Sequence, residues 1–136
     1  MEKIETKSWL AKLLICCHTI TLFGFIKTKK SELTQRTINH ECIHINQWEE
    51  TTLSSYLIVV LIVLLGASKW LLILPPLVFY IWYVIEWLVR LFINKGNAYR
   101  SISFEQEAYA NEDDNCYNEN RDYFAFLKYF KKETKQ

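Results

Sequence analysis

Between Leu53 and Ile93 the chain carries only three formal charges, Lys69, Glu86 and Arg90, while the flanks hold almost every other Lys, Arg, Asp and Glu. The net charge of +1 and a mean hydropathy of -0.02 look ordinary for a soluble protein only because they average two unlike regions. The middle is membrane-like. It divides at Gly66-Ala67-Ser68-Lys69 into two apolar segments, about Thr51 to Ala67 and Trp70 to Ile93. A spanning helix needs about 20 mainly apolar residues, so the first segment is marginal and the second comfortable. Pro75-Pro76 is expected to bend the second near its start. The pattern predicts a helical hairpin in a lipid bilayer. Its aromatic residues, among them Trp70, Tyr80, Trp82, Tyr83 and Trp87, suit the headgroup level or buried packing equally.

A hairpin returns the chain to the side it left, which brings the segments before and after it together. Lys and Arg flank the two segments on both sides, and only Lys69 lies in the turn. The positive-inside rule then predicts a multi-pass protein of the inner (cytoplasmic) membrane with both termini in the cytoplasm.

A chain of 136 residues is long enough for one domain and too short for two. The expected single domain, residues 1–136, comprises an N-terminal part (1–50), the hairpin (51–93) and a C-terminal part (94–136). Nearly balanced charge, with no basic block interleaved with aromatics, excludes a nucleic-acid partner. Cys16, Cys17, Cys42 and Cys116 have no CxxC spacing, so they read as thiols of a reducing compartment. The apolar stretch Trp9 to Ile26 lacks a cleavage pattern after it. It reads as a third spanning helix, an interfacial helix, or a short helix followed by a strand. The β-branched and aromatic run Thr19 to Ile26 favours the strand.

After the break at Lys27, Lys29 and Lys30, Ser31 or Thr34 can cap a helix expected to run to about Glu50. That helix carries His40-Glu41-Cys42-Ile43-His44. Residues four apart lie about 6 Å apart on one helix face, so His40 and His44 can direct two imidazoles at one metal ion. Glu41 then stands beside the metal, where a carboxylate can take a proton from an acidified water and pass it to a leaving amine. Cys42 points away from that face. A catalytic zinc needs a third protein ligand. Carboxylates for it come from Phe104-Glu105-Gln106-Glu107-Ala108-Tyr109-Ala110, within a helix expected from Ser101 to about Asn111. An acidic, Asn-rich loop from Asn111 to Asn120 and an amphipathic helix from Arg121 to Lys132 are expected to close the chain. Glu86 and Arg90, four apart in an apolar helix, read as an ion pair or as a carboxylate in a cavity near the metal.

The order HExxH, apolar hairpin, Glu105-Gln106-Glu107-Ala108-Tyr109-Ala110 resembles the gluzincin membrane peptidases, the group that includes the CAAX prenyl proteases. Their second motif has the form ExxAD or ExEAD. The resemblance implies zinc ligation by His40, His44 and Glu105, with Glu41 as the general base. Tyr109 stands where the family has an aspartate that orients a ligating histidine, so the tyrosine hydroxyl or another residue must do that work. Alignment to peptidases with an ExxxD second motif would instead make Glu107 the ligand and Asn111 its partner. The chain also resembles short, uncharacterised membrane proteins of Bacteroidetes-type bacteria that carry HExxH and FExEAY motifs.

The expectation is a mainly α membrane protein: a helical hairpin, a gluzincin-like HExxH helix, a second glutamate-bearing helix and one short N-terminal strand. Its implied activity is zinc-dependent hydrolysis of a peptide or membrane-protein substrate at the cytoplasmic membrane surface, with Tyr109, Arg100 or His18 as oxyanion partners. The rival from another class is a non-catalytic membrane interaction protein whose motif holds a structural metal or none.

Overall fold

A computed structural model describes the backbone of residues 4–6 and residues 19–28, 32–93 and 96–130. The chain is mainly helical, with one small sheet. Strands β1 (Ile4–Thr6), β2 (Thr19–Leu22) and β3 (Phe25–Thr28) form the sheet in the order β1-β3-β2. β2 and β3 are antiparallel, and β1 joins β3 in parallel. The strand expected over Thr19 to Ile26 is therefore a hairpin, broken at Phe23-Gly24. Both turn residues have positive φ, 49° and 75°, as a two-residue turn matching the strand twist requires. Glycine adopts that conformation without strain, whereas phenylalanine there is uncommon. Thr21 pairs with Ile26 and Thr19 with Thr28, so these four share one face of the hairpin. Residues 7–18, with the N-terminal half of the Trp9 to Ile26 stretch, Cys16, Cys17 and His18, lie outside the described residues.

Helix α1 (Gln35–Leu64) starts where the sequence signal placed it. The Thr34 hydroxyl accepts the Thr37 backbone N–H at 3.3 Å, the geometry of an N-cap. The expected end near Glu50 is wrong: the helix runs on through the first apolar segment as one element of 30 residues, about 45 Å at 1.5 Å per residue. No glycine or proline lies between Gln35 and Leu64 to stop it. It ends at Gly66, φ 102°, where the Gly66 and Ala67 N–H groups bond to Val63 and Ile62 carbonyls in a Schellman arrangement.

After a 3₁₀ turn over Lys69–Ile73, helix α2 (Pro75–Ile93) opens on its two prolines. They begin the helix rather than bend it, because the first turn is where a missing N–H costs nothing. The Trp48 indole donates to the Pro76 carbonyl at 3.0 Å, so α2 starts beside Trp48 and not at the far end of α1. The return from Leu64 is made by residues 65–74. Among the described residues, α2 alone is long and apolar enough to cross a membrane.

Helix α3 (Ser103–Asn111) carries the second motif, and a short helix α4 (Tyr117–Asn120) interrupts the expected loop. The amphipathic helix expected from Arg121 to Lys132 is replaced by a 3₁₀ turn over Ala125–Tyr129. Phe124 has φ 56°, and its N–H is donated to Glu50 at 2.9 Å, which ends any helix there. Residues 131–136 lie outside the description.

The chain clusters into two compact units, Met1–Asn46 with Ala108–Arg121, and Gln47–Glu107 with Asp122–Gln136. The division points fall inside α1 and α3, each of which continues unbroken. In the first unit, Ile26, Ile43 and Ala108 are buried apolar residues. In the second, Phe79, Ile102, Phe104 and Phe126 form the core, with Trp48, Trp82 and Tyr83 packed around them. Phe104 and Phe126 approach to 4.4 Å between ring centroids.

Candidate metal centre

α1 presents His40 and His44 one turn apart, their rings edge to face at 4.9 Å. One ligand atom from each of His40, His44 and Glu105 lies within 4.8 Å of the others, a group able to hold a metal ion. Two imidazoles and a carboxylate are a donor set zinc accepts with a fourth position left open. The side chains therefore fit the ion that the motif implies.

His40 is held by a carboxylate that does not come from position 109. Its Nδ1 lies 2.9 Å from Oε2 of Glu112. A carboxylate beside Nδ1 orients the imidazole ring, the arrangement common for a metal-ligating histidine. The Arg36 guanidinium donates to Glu112 Oε1 through Nε at 2.8 Å and through Nη2. This hydrogen bond, with the negative charge of Glu112, raises the Arg36 pKa above its ordinary value. Asn39 donates to the Glu112 carbonyl at 3.0 Å and to Asn115 Oδ1 at 2.8 Å. Glu112 thus joins Arg36 and His40, and Asn39 holds its backbone.

Tyr109 meets His40 through ring packing at 4.7 Å between centroids. The carboxylate that serves His40 comes three residues later. Sequence reading missed Glu112 because it followed an aligned motif. The signal was its spacing of seven from Glu105, two helical turns on the same face.

Glu41 is buried, and the Thr21 hydroxyl of β2 donates to its Oε2 at 2.7 Å. The β-hairpin therefore fixes the carboxylate rotamer. Oε1 accepts no hydrogen bond among the described residues, which leaves it able to take a proton. Thr21 was also missed: a lone threonine in a strand carries no signal until the strand is packed.

The two candidate glutamates of α3 differ in their surroundings. Glu105, fully buried, accepts the Tyr83 hydroxyl on Oε1 at 2.8 Å. Glu107, also buried, accepts Gln47 Nε2 at 3.0 Å, and the same amide nitrogen reaches the Phe104 carbonyl at 3.1 Å. Glu107 thus ties α3 to α1 through Gln47.

Glu86 forms the expected ion pair with Arg90 at 3.3 Å. It also accepts the Ser103 N–H at 2.8 Å and the Ser103 hydroxyl at 2.7 Å. A carboxylate at the N-terminus of α3 satisfies donors that no helical carbonyl can reach, so its work is to cap the glutamate-bearing helix. Arg100 is exposed in the turn before α3, and His18 lies outside the described residues. Cys42 and Cys116 are not in disulfides. Comparison with family models, with curated proteins and with solved structures finds no match.

Proposed function

We propose that this chain is a zinc-dependent, membrane-embedded endopeptidase that hydrolyses a peptide or membrane-protein substrate near the cytoplasmic membrane surface. The observation that carries the reading is the gathering of His40, His44 and Glu105 around one point, with Glu41 adjacent in the chain to His40 and held by Thr21. A zinc ion bound there supplies Lewis-acid activation of water and of the scissile carbonyl. His40 and His44 bind through imidazole nitrogen and Glu105 through carboxylate oxygen. Glu112 orients His40, and Arg36 offsets the charge of Glu112. Glu41 accepts the proton of the attacking water on Oε1 and delivers it to the leaving amine, while Thr21 keeps Oε2 engaged.

The membrane part of the reading is supported by exposed apolar surface. Leu57 and Leu64 of α1 are 69% and 78% exposed, and Phe92 of α2 is 83% exposed. Within α2 only 17% of the most apolar window is buried, whereas the core helix of a soluble protein would be mostly covered. At 19 residues α2 is about 28 Å long, close to the hydrocarbon thickness of about 30 Å. The apolar part of α1 enters the same layer with α2 as a pair, which returns the residues before and after them to one side. Lys and Arg on both flanks favour a cytoplasmic site, which reporter fusions at the two termini test.

The deciding experiment is Glu41→Gln in detergent-purified protein. The variant is expected to keep its zinc and to lose hydrolysis of a membrane peptide by about 10²- to 10⁴-fold, the usual contribution of a general base. Equal rates for variant and wild type would remove Glu41 from the mechanism. Zinc without any hydrolysis by the wild type would return the chain to the non-catalytic reading.

A further inference from the structure

α2 does more than present an apolar surface. On its inward side Tyr83 and Glu86, three residues apart and therefore on one helix face, both reach α3. Glu86 accepts the N–H and the hydroxyl of Ser103, the first residue of α3. Tyr83 donates its phenol hydrogen to Glu105 Oε1 at 2.8 Å. The two contacts hold different things. The first fixes the start of the helix, and the second fixes the carboxylate that the helix carries. The Tyr83 ring is clamped in turn, stacked on Phe104 with planes 5° apart and centroids at 6.2 Å, and tilted against Phe79 at 6.1 Å.

We propose that Tyr83 is a positioning residue for the metal ligand Glu105, holding it as a one-oxygen ligand; the inference rests on the metal site of the proposed function. A carboxylate can bind a metal through one oxygen or through both. An oxygen that accepts a phenol hydrogen has given up donor strength to that bond, so the tie favours binding through the other oxygen. One-oxygen binding keeps the metal at three protein ligands and leaves a position for water and substrate. Binding through both oxygens would raise the coordination number and crowd that position. Through Tyr83 the apolar helix would hold Glu105 to a single donor oxygen toward a bound metal.

The test is Tyr83→Phe in the full chain, purified in detergent and loaded with Co²⁺, whose visible absorption weakens as coordination rises from four to five. Wild type is expected to bind one Co²⁺ with the stronger, four-coordinate spectrum. Tyr83→Phe is expected to bind one Co²⁺ with a weaker spectrum and about 10- to 100-fold lower affinity, the usual effect of losing a residue that orients a ligand. A spectrum and affinity equal to wild type overturn the proposal. So does lower thermal stability with an unchanged spectrum, which is what a merely structural tyrosine would give. If Tyr83→Phe does not fold, p-aminophenylalanine at position 83 keeps the ring with a weaker donor, and a Co²⁺ spectrum and affinity equal to wild type then overturn the proposal. Failure of wild type itself to take up Co²⁺ or Zn²⁺ defeats the metal reading and Tyr83 with it, and is recognised because it precedes any substitution.

Discussion

The two halves of α1 follow opposite solvent rules. From Asn39 to Thr52 the helix buries polar side chains: Asn39, Glu41, His44, Gln47, Thr51 and Thr52. From Leu53 to Leu64 it exposes apolar ones: Leu53, Leu57, Ile58, Leu61 and Leu64. Polar burial costs free energy unless each group is hydrogen-bonded. Here Asn39 has Glu112 and Asn115, Glu41 has Thr21, and Gln47 has Glu107 and the Phe104 carbonyl. Apolar exposure costs free energy in water and nothing in hydrocarbon. A single unbroken helix thus carries a site at one end and a lipid-compatible surface at the other. Under the proposed function, the contrast separates residues that build the metal site from residues that face lipid.

The sharpest way to break that contrast is at the ligands. His44→Ala is expected to reduce zinc from one per chain to well below that, and Glu105→Gln to do the same, as metal analysis of protein purified without chelator would show. Glu107→Gln, whose carboxylate partner is Gln47, is expected to keep its zinc. Loss of zinc in the Glu107 variant alone would transfer the ligand role along α3.

In the apolar half, Leu57→Arg is expected to cost about 2.5–3.5 kcal/mol of membrane insertion, the range for arginine at mid-bilayer depth. The measurement is the partition between membrane and soluble fractions. A surface meant for water would tolerate the same change within about 0.5 kcal/mol and gain solubility.

Returning to the polar half, Glu112→Gln is expected to lower zinc affinity by about 10- to 100-fold, read by chelator competition, because the amide no longer holds His40 Nδ1–H as a charged acceptor does. Tyr109→Phe keeps the ring that packs on His40, and is expected to change that affinity less. The reverse order would give the tyrosine hydroxyl the role assigned to Glu112.

The smallest expected effect is at the helix start. Thr34→Ala removes the cap of Thr37 N–H and is expected to cost about 1 kcal/mol in thermal unfolding, with Thr34→Asp restoring most of it.

Local features were legible in the amino-acid sequence. The pairing of His40 with His44 depends only on helical spacing, the start of α1 on Thr34, and the second-motif helix on a short run of good helix formers. The continuity of α1 past Glu50 was equally available, since nothing between Gln35 and Leu64 breaks a helix. Reading the change from polar to apolar as a boundary was the error: composition changed there, but backbone preference did not.

Tertiary structure decided which side chains meet. Thr21 reaches Glu41 from 20 positions away, Glu112 reaches His40 from 72, and Tyr83 reaches Glu105 from 22. It also placed the start of α2 beside Trp48, and turned the C-terminal stretch into a 3₁₀ turn by burying Phe126 and binding the Phe124 N–H to Glu50. The physical reason is range. Helical spacing and capping act over one or two turns of chain and are written in neighbouring residues. The choice of a hydrogen-bond partner is made only after distant segments have packed, when a buried polar group must take whatever acceptor or donor the packing has brought within about 3 Å.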